Sequence, residues 1–461
     1  MPLRIIVIGA GIAGLCAATS LRQAGHSVQI FEKSAFATET GAALLLAPNG
    51  ARVLSSLGFS FEGARACRVH VWENCHGTTL ERISCVDFDD AEERFGALVW
   101  AVHRVDLHQE LLRLALGGCG AATLRLSSRV RKVYPESGIV ELDDGSTHSA
   151  DLVVAADGLH SIMRSMVTGG QALRTGLSAF RFLLPTSLMR QNPELSKLLD
   201  WKVPGASIIA DTKDPVHERH MVWYDCQSGD VQNFVSIEYP PTHQLLKGDL
   251  ADEKTAMLQE FAHFHPALID IIRLAEDVKC WSLSIHDPLP TWVYGKTVLI
   301  GDAAHPMLPF GGQGSNQAIE DGGALGYLLN GADDLATLEQ RLKIFETVRR
   351  NRASRVQTLS KVRAGKEKEI EQELRKYADG MDAVPTSFPE RIAHDYGFDV
   401  LGKCAEALAV EKTRLPEPGQ SQKVLAFANG LVGQETEGVP ITQMNGVVQR
   451  DANYSFVPIG V

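Results

Sequence analysis

Four consecutive branched apolar residues, Ile5-Ile6-Val7-Ile8, run straight into Gly9-Ala10-Gly11-Ile12-Ala13-Gly14, and no other stretch limits the available folds as severely. A short apolar run without alternation suits a strand buried on both faces of a parallel sheet. From Ala13 to Ala24 the pattern turns helical, with Leu15, Ala18, Leu21 and Arg22 at three- and four-residue steps, and Gly25 stands where a helix stop belongs. A second strand, Val28 to Phe31, ends at Glu32, 18 positions beyond Gly14. Strand, glycine turn, helix, strand and acid in this order predict a dinucleotide-binding unit. Gly9 permits the tight turn, Gly11 lets backbone approach a pyrophosphate, and Gly14 lets helix and strand pack closely. The helix N-terminus faces phosphate charge while Glu32 takes the ribose hydroxyls.

An acid at that place serves NAD and FAD alike, so the choice rests on a later stretch. Thr297 to Ile300 reads as another buried strand, followed by Gly301-Asp302-Ala303-Ala304-His305-Pro306 and the loop Leu308 to Gly314. Helical character then runs from Ser315 to Asn330, with Gly331 as its stop. A carboxylate at a strand end, a glycine loop and a helix N-terminus make a second polar binding surface. Between the two motif regions lie short β-rich runs, Ala179 to Leu184, Ser207 to Ala210, His220 to Tyr224 and Phe234 to Tyr239, separated by Gly, Pro, Asp and Asn.

These runs predict an antiparallel sheet inserted into a discontinuous domain. Residues 1–170 and 285–345 form the cofactor part, 171–284 cover the substrate, and 346–461 are a C-terminal helical region and tail. Hairpin signals at Thr123 to Tyr134 and Ile139 to Leu142, with Asp144-Gly145 as turn, belong to the first part. A helix is expected from Leu338 through Glu373 to Tyr377, with Glu371 and Arg375 as an i,i+4 pair on a solvated face. No role is assigned to the tail after about 410.

Composition narrows the partners. Forty-five Lys and Arg against 56 Asp and Glu leave a charge of −11, so no basic field exists for nucleic acid or anionic lipid. The eight cysteines include no C-x-x-C pair, which indicates neither a disulfide framework nor a metal site. No window approaches the ~20 apolar residues of a membrane span, and the apolar start is broken by glycines, unlike a signal peptide. The expected location is cytoplasmic.

Together the motifs resemble the class A flavoprotein monooxygenases, single-component aromatic hydroxylases of the salicylate and para-hydroxybenzoate hydroxylase type, nearest to fungal phenol hydroxylases of secondary metabolism. The resemblance rests on Gly9-x-Gly11-x-x-Gly14 with Glu32, Ala156-Asp157-Gly158 with Ser161 and Arg164, and Gly301-Asp302 with Pro309-x-x-Gly312-Gln313-Gly314. Gly41-Ala42-Ala43 before Pro48-Asn49, and His103-Arg104-Val105-Asp106-Leu107, agree with it over residues 1 to about 360. It implies an α/β fold: a Rossmann-like FAD-binding domain with an inserted antiparallel β-sheet substrate domain and C-terminal helices.

Carried over by residue, the resemblance implies that Glu32 holds the adenosine ribose and Arg104 reaches the pyrophosphate and ribityl region. It implies further that Asp302 hydrogen-bonds the ribityl chain, and that backbone near Ala43, Gly314 and Ser315 approaches the flavin or its linker. Asp157-Gly158 matches a motif used for both FAD and the passing nicotinamide; from the residues alone it is a turn after the strand Leu152 to Ala156. Arg181 stands where the fungal hydroxylases carry a functional arginine, and Tyr224 near their substrate-orienting tyrosine. His220 and Tyr224 share a strand face, and ordinary sheet packing is open for both. His305 is expected to support the flavin loop.

The implied reaction reduces FAD with NADPH or NADH, adds O2 at flavin C4a, and passes the distal oxygen of the hydroperoxide to a phenolic or aromatic substrate. Two alternatives stay open at this point: the same machinery as an epoxidase of an alkene or indole-type natural product, and a flavoprotein-fold binding protein without redox activity.

Overall fold

The branched apolar run becomes an inner strand of a parallel sheet, because residues without a polar face are stable only with cover on both sides. In the computed structural model, which describes residues 1–35, 42–169, 173–211, 219–238, 253–380 and 383–414, Arg4–Ile8 sits inside a six-stranded sheet. The sheet order is Val293–Tyr294, Thr297–Leu299, Leu152–Ala155, Arg4–Ile8, Ser27–Phe31 and Thr123–Arg125. All neighbours are parallel except the first pair. Thr297–Leu299 lies directly against Leu152–Ala155, so the chain leaves this sheet after Ala155 and returns beside the strand it left.

What lies between is a seven-stranded sheet ordered Lys279–Ile285, Leu173–Pro185, Val231–Glu238, His220–Cys226, Gly205–Ala210, Val71–His76 and Arg82–Asp87. Alternation along these strands sends Phe180, Phe182, Trp223 and Phe234 to one face, under the helices Pro193–Trp201, Glu253–Glu260 and Pro266–Leu274. The opposite face turns toward the cofactor motifs: Ala179 and Ile237 pack on Leu308 and Phe310, and Ala206 and Tyr224 lie in one cluster with Ala43 and Leu45.

Two strands of this sheet come from residues 71–87, a stretch the sequence places with the cofactor part. Val71–His76 runs parallel to Gly205–Ala210. Its alternation is hidden by Glu73, which is buried because Ser207 Oγ donates to it at 2.6 Å and Arg82 Nε at 2.7 Å. The predicted hairpin at Thr123 to Tyr134 also differs: Thr123–Arg125 extends the parallel sheet beside Ser27–Phe31. Of that stretch only Val130–Tyr134 pairs with Ile139–Leu142, which turns at Gly145 with φ +81° to pair with Thr147–Ser149 on its other side.

The long C-terminal helix covers only Leu335–Leu359. Past Ser360 the chain turns through Gly365 at φ +90° and continues in short turns to Tyr377, where the Arg375 to Glu371 bond of 2.7 Å is retained. Two helices unmarked by the sequence follow, Phe388–Tyr396 and Val400–Arg414. The chain divides into compact units Met1–Ala405 and Glu406–Val461, and every site residue below belongs to the first. Gly41, Tyr239 and the tail beyond 414 lie outside the described residues. Among the described residues no helix is long and apolar enough to cross a membrane.

Candidate functional site

At the C-terminal end of the parallel sheet, the Gly9 to Gly14 turn opens a cleft of about 560 Å³ lined by Gly9, Gly11, Glu32, Arg104, Asp157 and Gly158. Gly9 has φ +96°, and its N–H donates to Phe31 O at 2.8 Å. A side chain at Gly14 would lie 2.0 Å from Gly9 O, so helix Ile12–Gln23 and the turn are in backbone contact. Gly11 differs: nothing approaches its Cβ position within 4 Å, and it faces the cleft. The helix behind it has neither a side-chain cap nor an acid in its first turn, which leaves its N-terminal amides and partial positive charge available.

Glu32 is placed by the loop it faces. Its carboxylate accepts Ala10 N–H at 2.8 Å and Ser34 N–H at 2.7 Å, and each oxygen keeps a second lone pair for a ligand hydroxyl. Across the cleft, Asp157 is more than a turn residue: its Oδ2 accepts Ile162 N–H at 2.8 Å, while among the described residues buried Oδ1 has no hydrogen-bond partner. Burial pushes its carboxyl above the usual range despite that bond. Ser161 caps the helix Ile162–Thr168 on Arg164 N–H, and Arg164 donates to Ala304 O and Asp287 O at 3.2 Å. Arg164 therefore ties the Asp157 helix to the loop after Asp302.

Asp302 keeps an exposed side chain yet is surrounded by protein, and that desolvation pushes its carboxyl up against the opposing charges of His305, Arg104 and Arg164. Arg104 is placed by its own N–H, which donates to Ala42 O at 2.7 Å, and its side chain lines the cleft. Behind Asp302, buried His305 Nε2 lies 2.6 Å from Asp321 Oδ2, which also accepts Gly301 N–H at 2.8 Å. The helix Gly314–Leu329 starts without a cap or an acid in its first turn, like the helix at Gly11. Asn49 joins it to the Pro48–Ser56 helix by donating to Gln313 Oε1 at 3.0 Å and Glu320 Oε1 at 2.6 Å.

Two turns into that helix, Glu320 and Asp321 are fully buried, and they are compensated by arginines from Leu335–Leu359. Arg349 donates to Asp321 at 2.9 Å and is paired with Glu320; Arg352 reaches Glu320 at 3.4 Å and Asp395 O at 2.8 Å. Burial alone raises the Asp321 carboxyl, but the charges of His305 and Arg349 outweigh it and hold it below the usual range.

On the sheet opposite, Arg181, Val235 and Val222 form one cross-strand row, and Tyr224 with Asn233 the next pair along. Arg181 lies 5.8 Å from the Trp281 ring centroid, and its charge acts on Tyr224. The Tyr224 hydroxyl donates to Ala43 O at 2.8 Å, while Asn233 Oδ1 accepts Ala43 N–H at 3.1 Å. Neighbouring side chains on two strands thus hold both polar groups of one residue in the motif before Pro48-Asn49. Burial pushes the Tyr224 phenol well above its ordinary range. His220 stacks obliquely on Phe310 at 5.9 Å, so it sits at the contact between sheet and glycine loop.

The chain matches the FAD binding domain family over residues 3–187 and 284–360. It belongs to the FAD-dependent monooxygenases. It is 33% identical to FAD-dependent monooxygenase phomE' of Diaporthe leptostromiformis, over 85% of this chain and 100% of that one. It is likewise 33% identical to hispidin-3-hydroxylase of Neonothopanus nambi, over 76% of this chain and 86% of the relative. A salicylate hydroxylase substrate complex shares the fold with a TM-score of 0.66 at 24% identity, covering 88% of this chain and 98% of that one.

The polar groups of this monooxygenase fit FAD: an open backbone turn at Gly11, acceptor acids at Glu32 and Asp302, a cation at Arg104 beside Glu32 in the cleft whose charge acts on Asp302, and two uncapped helix starts. Residues near Ala43, Gly314 and Ser315 stand at the end of the site near Phe310 and the seven-stranded sheet. Lys33, Ser128 and Arg129 also line the cleft, and no motif marked them. Asn233 was missed as well; its signal was a lone amide on the strand face that already carried Arg181 and Tyr224 across the sheet.

Proposed function

We propose that this monooxygenase uses NADPH or NADH and O2 to hydroxylate a phenolic or otherwise aromatic small molecule in the cytoplasm. The observation that carries the reading is the meeting of Phe310 with Ala179, Ile237 and His220, which sets a β-sheet face bearing Arg181 against the glycine loop of the cofactor site. Bound FAD supplies reduction by a nicotinamide and activation of O2. The protein supplies position and charge.

In this reading Glu32 holds the ribose, Gly9, Gly11 and Gly14 shape the pyrophosphate turn, and Arg104 and Asp157 line its two sides. Asp302 would accept from the ribityl hydroxyls of bound FAD, and the helix start at Gly314 and Ser315 would favour negative charge placed there, by ~0.3–1 kcal/mol or up to ~2 when partly buried. Arg181 offers a cation to a phenolate, which raises the electron density of the acceptor carbon and favours hydroxylation over epoxidation. Tyr224 positions the flavin-side backbone at Ala43. Residues 1–170 and 285–345 serve the cofactor and 171–284 the substrate, joined there by the strands from 71–87.

Asp302→Ala should weaken FAD retention by removing a charge-assisted bond worth roughly 1.5–3 kcal/mol, read as flavin content after gel filtration. Unchanged occupancy would remove Asp302 from the site. Arg181→Met should stay yellow and lose most product formation with any phenol that stimulates nicotinamide oxidation; normal turnover would exclude Arg181. The deciding experiment for the function is the visible spectrum of the purified protein, followed by an aromatic screen for stimulated NAD(P)H oxidation with mass analysis of products.

A further inference from the structure

The loop that carries Phe310 between cofactor site and sheet is held from outside the matched family region, which ends at 360. Gly311 takes φ +89° and Gly312 φ +62°, and Gly312 N–H closes a turn on Pro309 O at 3.0 Å. Two successive left-handed residues leave a loop with little intrinsic preference for one shape. Arg391, from the Phe388–Tyr396 helix, supplies the constraint: Nη2 donates to Phe310 O at 2.7 Å and Nη1 to Val362 O at 3.1 Å. Its guanidinium is 2% exposed, 3.6 Å from Glu367 Oε1 and 3.8 Å from Asp395 Oδ2. The fit is tight on the loop side too, since a Cβ at Gly311 would lie 2.3 Å from Arg391 Nη2.

We propose that Arg391 is a positioning residue for oxygen transfer: through the Phe310 carbonyl it fixes the Pro309–Gly312 turn, and with it the Phe310 ring against the substrate sheet and the start of the Gly314 helix against the flavin. This rests on the function proposed above. A planar fork serves here because the carbonyls of Phe310 and Val362 each take a separate Nη, while Glu367 and Asp395 stand beside the guanidinium as charge partners at 3.6 and 3.8 Å, an arrangement that a single ammonium does not reproduce. Loosening the turn leaves the pyrophosphate end of the site untouched, so FAD still binds while the geometry around its ring relaxes.

The test compares parent, Arg391→Lys, Gly311→Ala and the double variant as FAD-loaded proteins. Arg391→Lys keeps a charge beside Glu367 and Asp395; Gly311→Ala keeps the guanidinium itself but presses on its Nη2 from the other side and strains the turn at φ +89°. Both single variants should keep parental FAD affinity by fluorescence titration yet change the visible circular dichroism of the bound flavin. With a phenol that stimulates NAD(P)H use, both should shift consumption toward H2O2, with product formation down roughly tenfold, less than the ~100-fold of an ångström's misplacement. The double variant should be no worse than the worse single one, because both break one contact.

Parental flavin dichroism and product yield in both variants would overturn the proposal, as would independent, additive losses. An unfolded Arg391→Lys beside a Gly311→Ala that behaves as the parent would also overturn it, making Arg391 structural only. If the parent makes no hydroxylated product, the proposed function fails instead, and the flavin dichroism still decides the role of Arg391.

Discussion

Gly14→Ala is expected to yield protein that does not hold FAD, whereas Gly11→Ala should yield folded protein whose only defect is toward the cofactor. The two glycines lie three positions apart in one motif but meet different surroundings. A methyl at Gly14 arrives 2.0 Å from Gly9 O, and Gly9 is itself held by its bond to Phe31 O. The helix must move off the strand; overpacking of this kind costs about 1–3 kcal/mol or more, and the displaced turn no longer presents its amides. At Gly11 the methyl meets no protein atom within 4 Å, and the backbone there is ordinary at φ −76°. Any loss of affinity in Gly11→Ala therefore reports the ligand's own approach.

A hundredfold weaker FAD dissociation constant for Gly11→Ala, about 2.7 kcal/mol, with an unchanged unfolding midpoint is the expected pair of readings. Parental affinity would show that the pyrophosphate does not lie on Gly11. Full FAD retention by Gly14→Ala would show that the turn tolerates a shifted helix.

The second large effect is expected at Arg349, far from any ligand. Arg349→Met leaves Glu320 and Asp321, both fully buried, without the guanidinium they share; His305 and Arg352 still touch them and Arg52 acts on Glu320 through its charge. Removing one partner from a buried ion pair typically costs ~3–5 kcal/mol, much of a protein's total stability, so little soluble protein and a strongly lowered denaturation midpoint are predicted. The same pair sets an acid limit. Because Asp321 is held below the usual carboxylate range when folded, its stabilising contribution is complete above that range and is lost as pH falls through the lowered folded value. Without the arginine the carboxyl rises, and acid unfolding of Arg349→Met should begin at higher pH than in the parent. A variant with parental midpoint and acid limit would show the network to be dispensable.

These two predictions also mark what the sequence discloses. Gly9, Gly11, Gly14 and Glu32 are legible because their partners lie within one strand-helix-strand unit, where spacing is set by local geometry. Asp302 is legible for the same reason, since strand, acid, glycine loop and helix follow one another directly. The charged network is not: Arg349 meets Asp321 28 positions away, and Arg391 meets Phe310 81 positions away. A signal was present in two acids, Glu320 and Asp321, inside an apolar, glycine-rich helix, and in arginines at 349, 352 and 355 on one helix face beside Ala353 and Val356. Buried acids require buried cations, and steps of three residues supply them on one side. Strand Val71–His76 was hidden by its own buried Glu73. The Tyr224 to Ala43 bond spans 181 positions, and only the fold brings that phenol to that carbonyl.

One junction bears on how such proteins diversify. The excursion into the seven-stranded sheet begins and ends at the same place, since Leu173 pairs with Ile285 and Arg174 with Ser284. For a chain that departs and rejoins at a narrow neck, the closure entropy charged to the half it leaves grows only slowly with the length of the excursion, by about 0.6 kcal/mol per doubling. If the intervening segment is the substrate side, as proposed above, its replacement as a cassette would change acceptor scope while the cofactor half stays fixed. A replacement must still meet its host: Gly205, where a Cβ would come 2.0 Å from Val71 O, nestles against the retained hairpin at the far edge, and Tyr224 and Asn233 hold the backbone of Ala43.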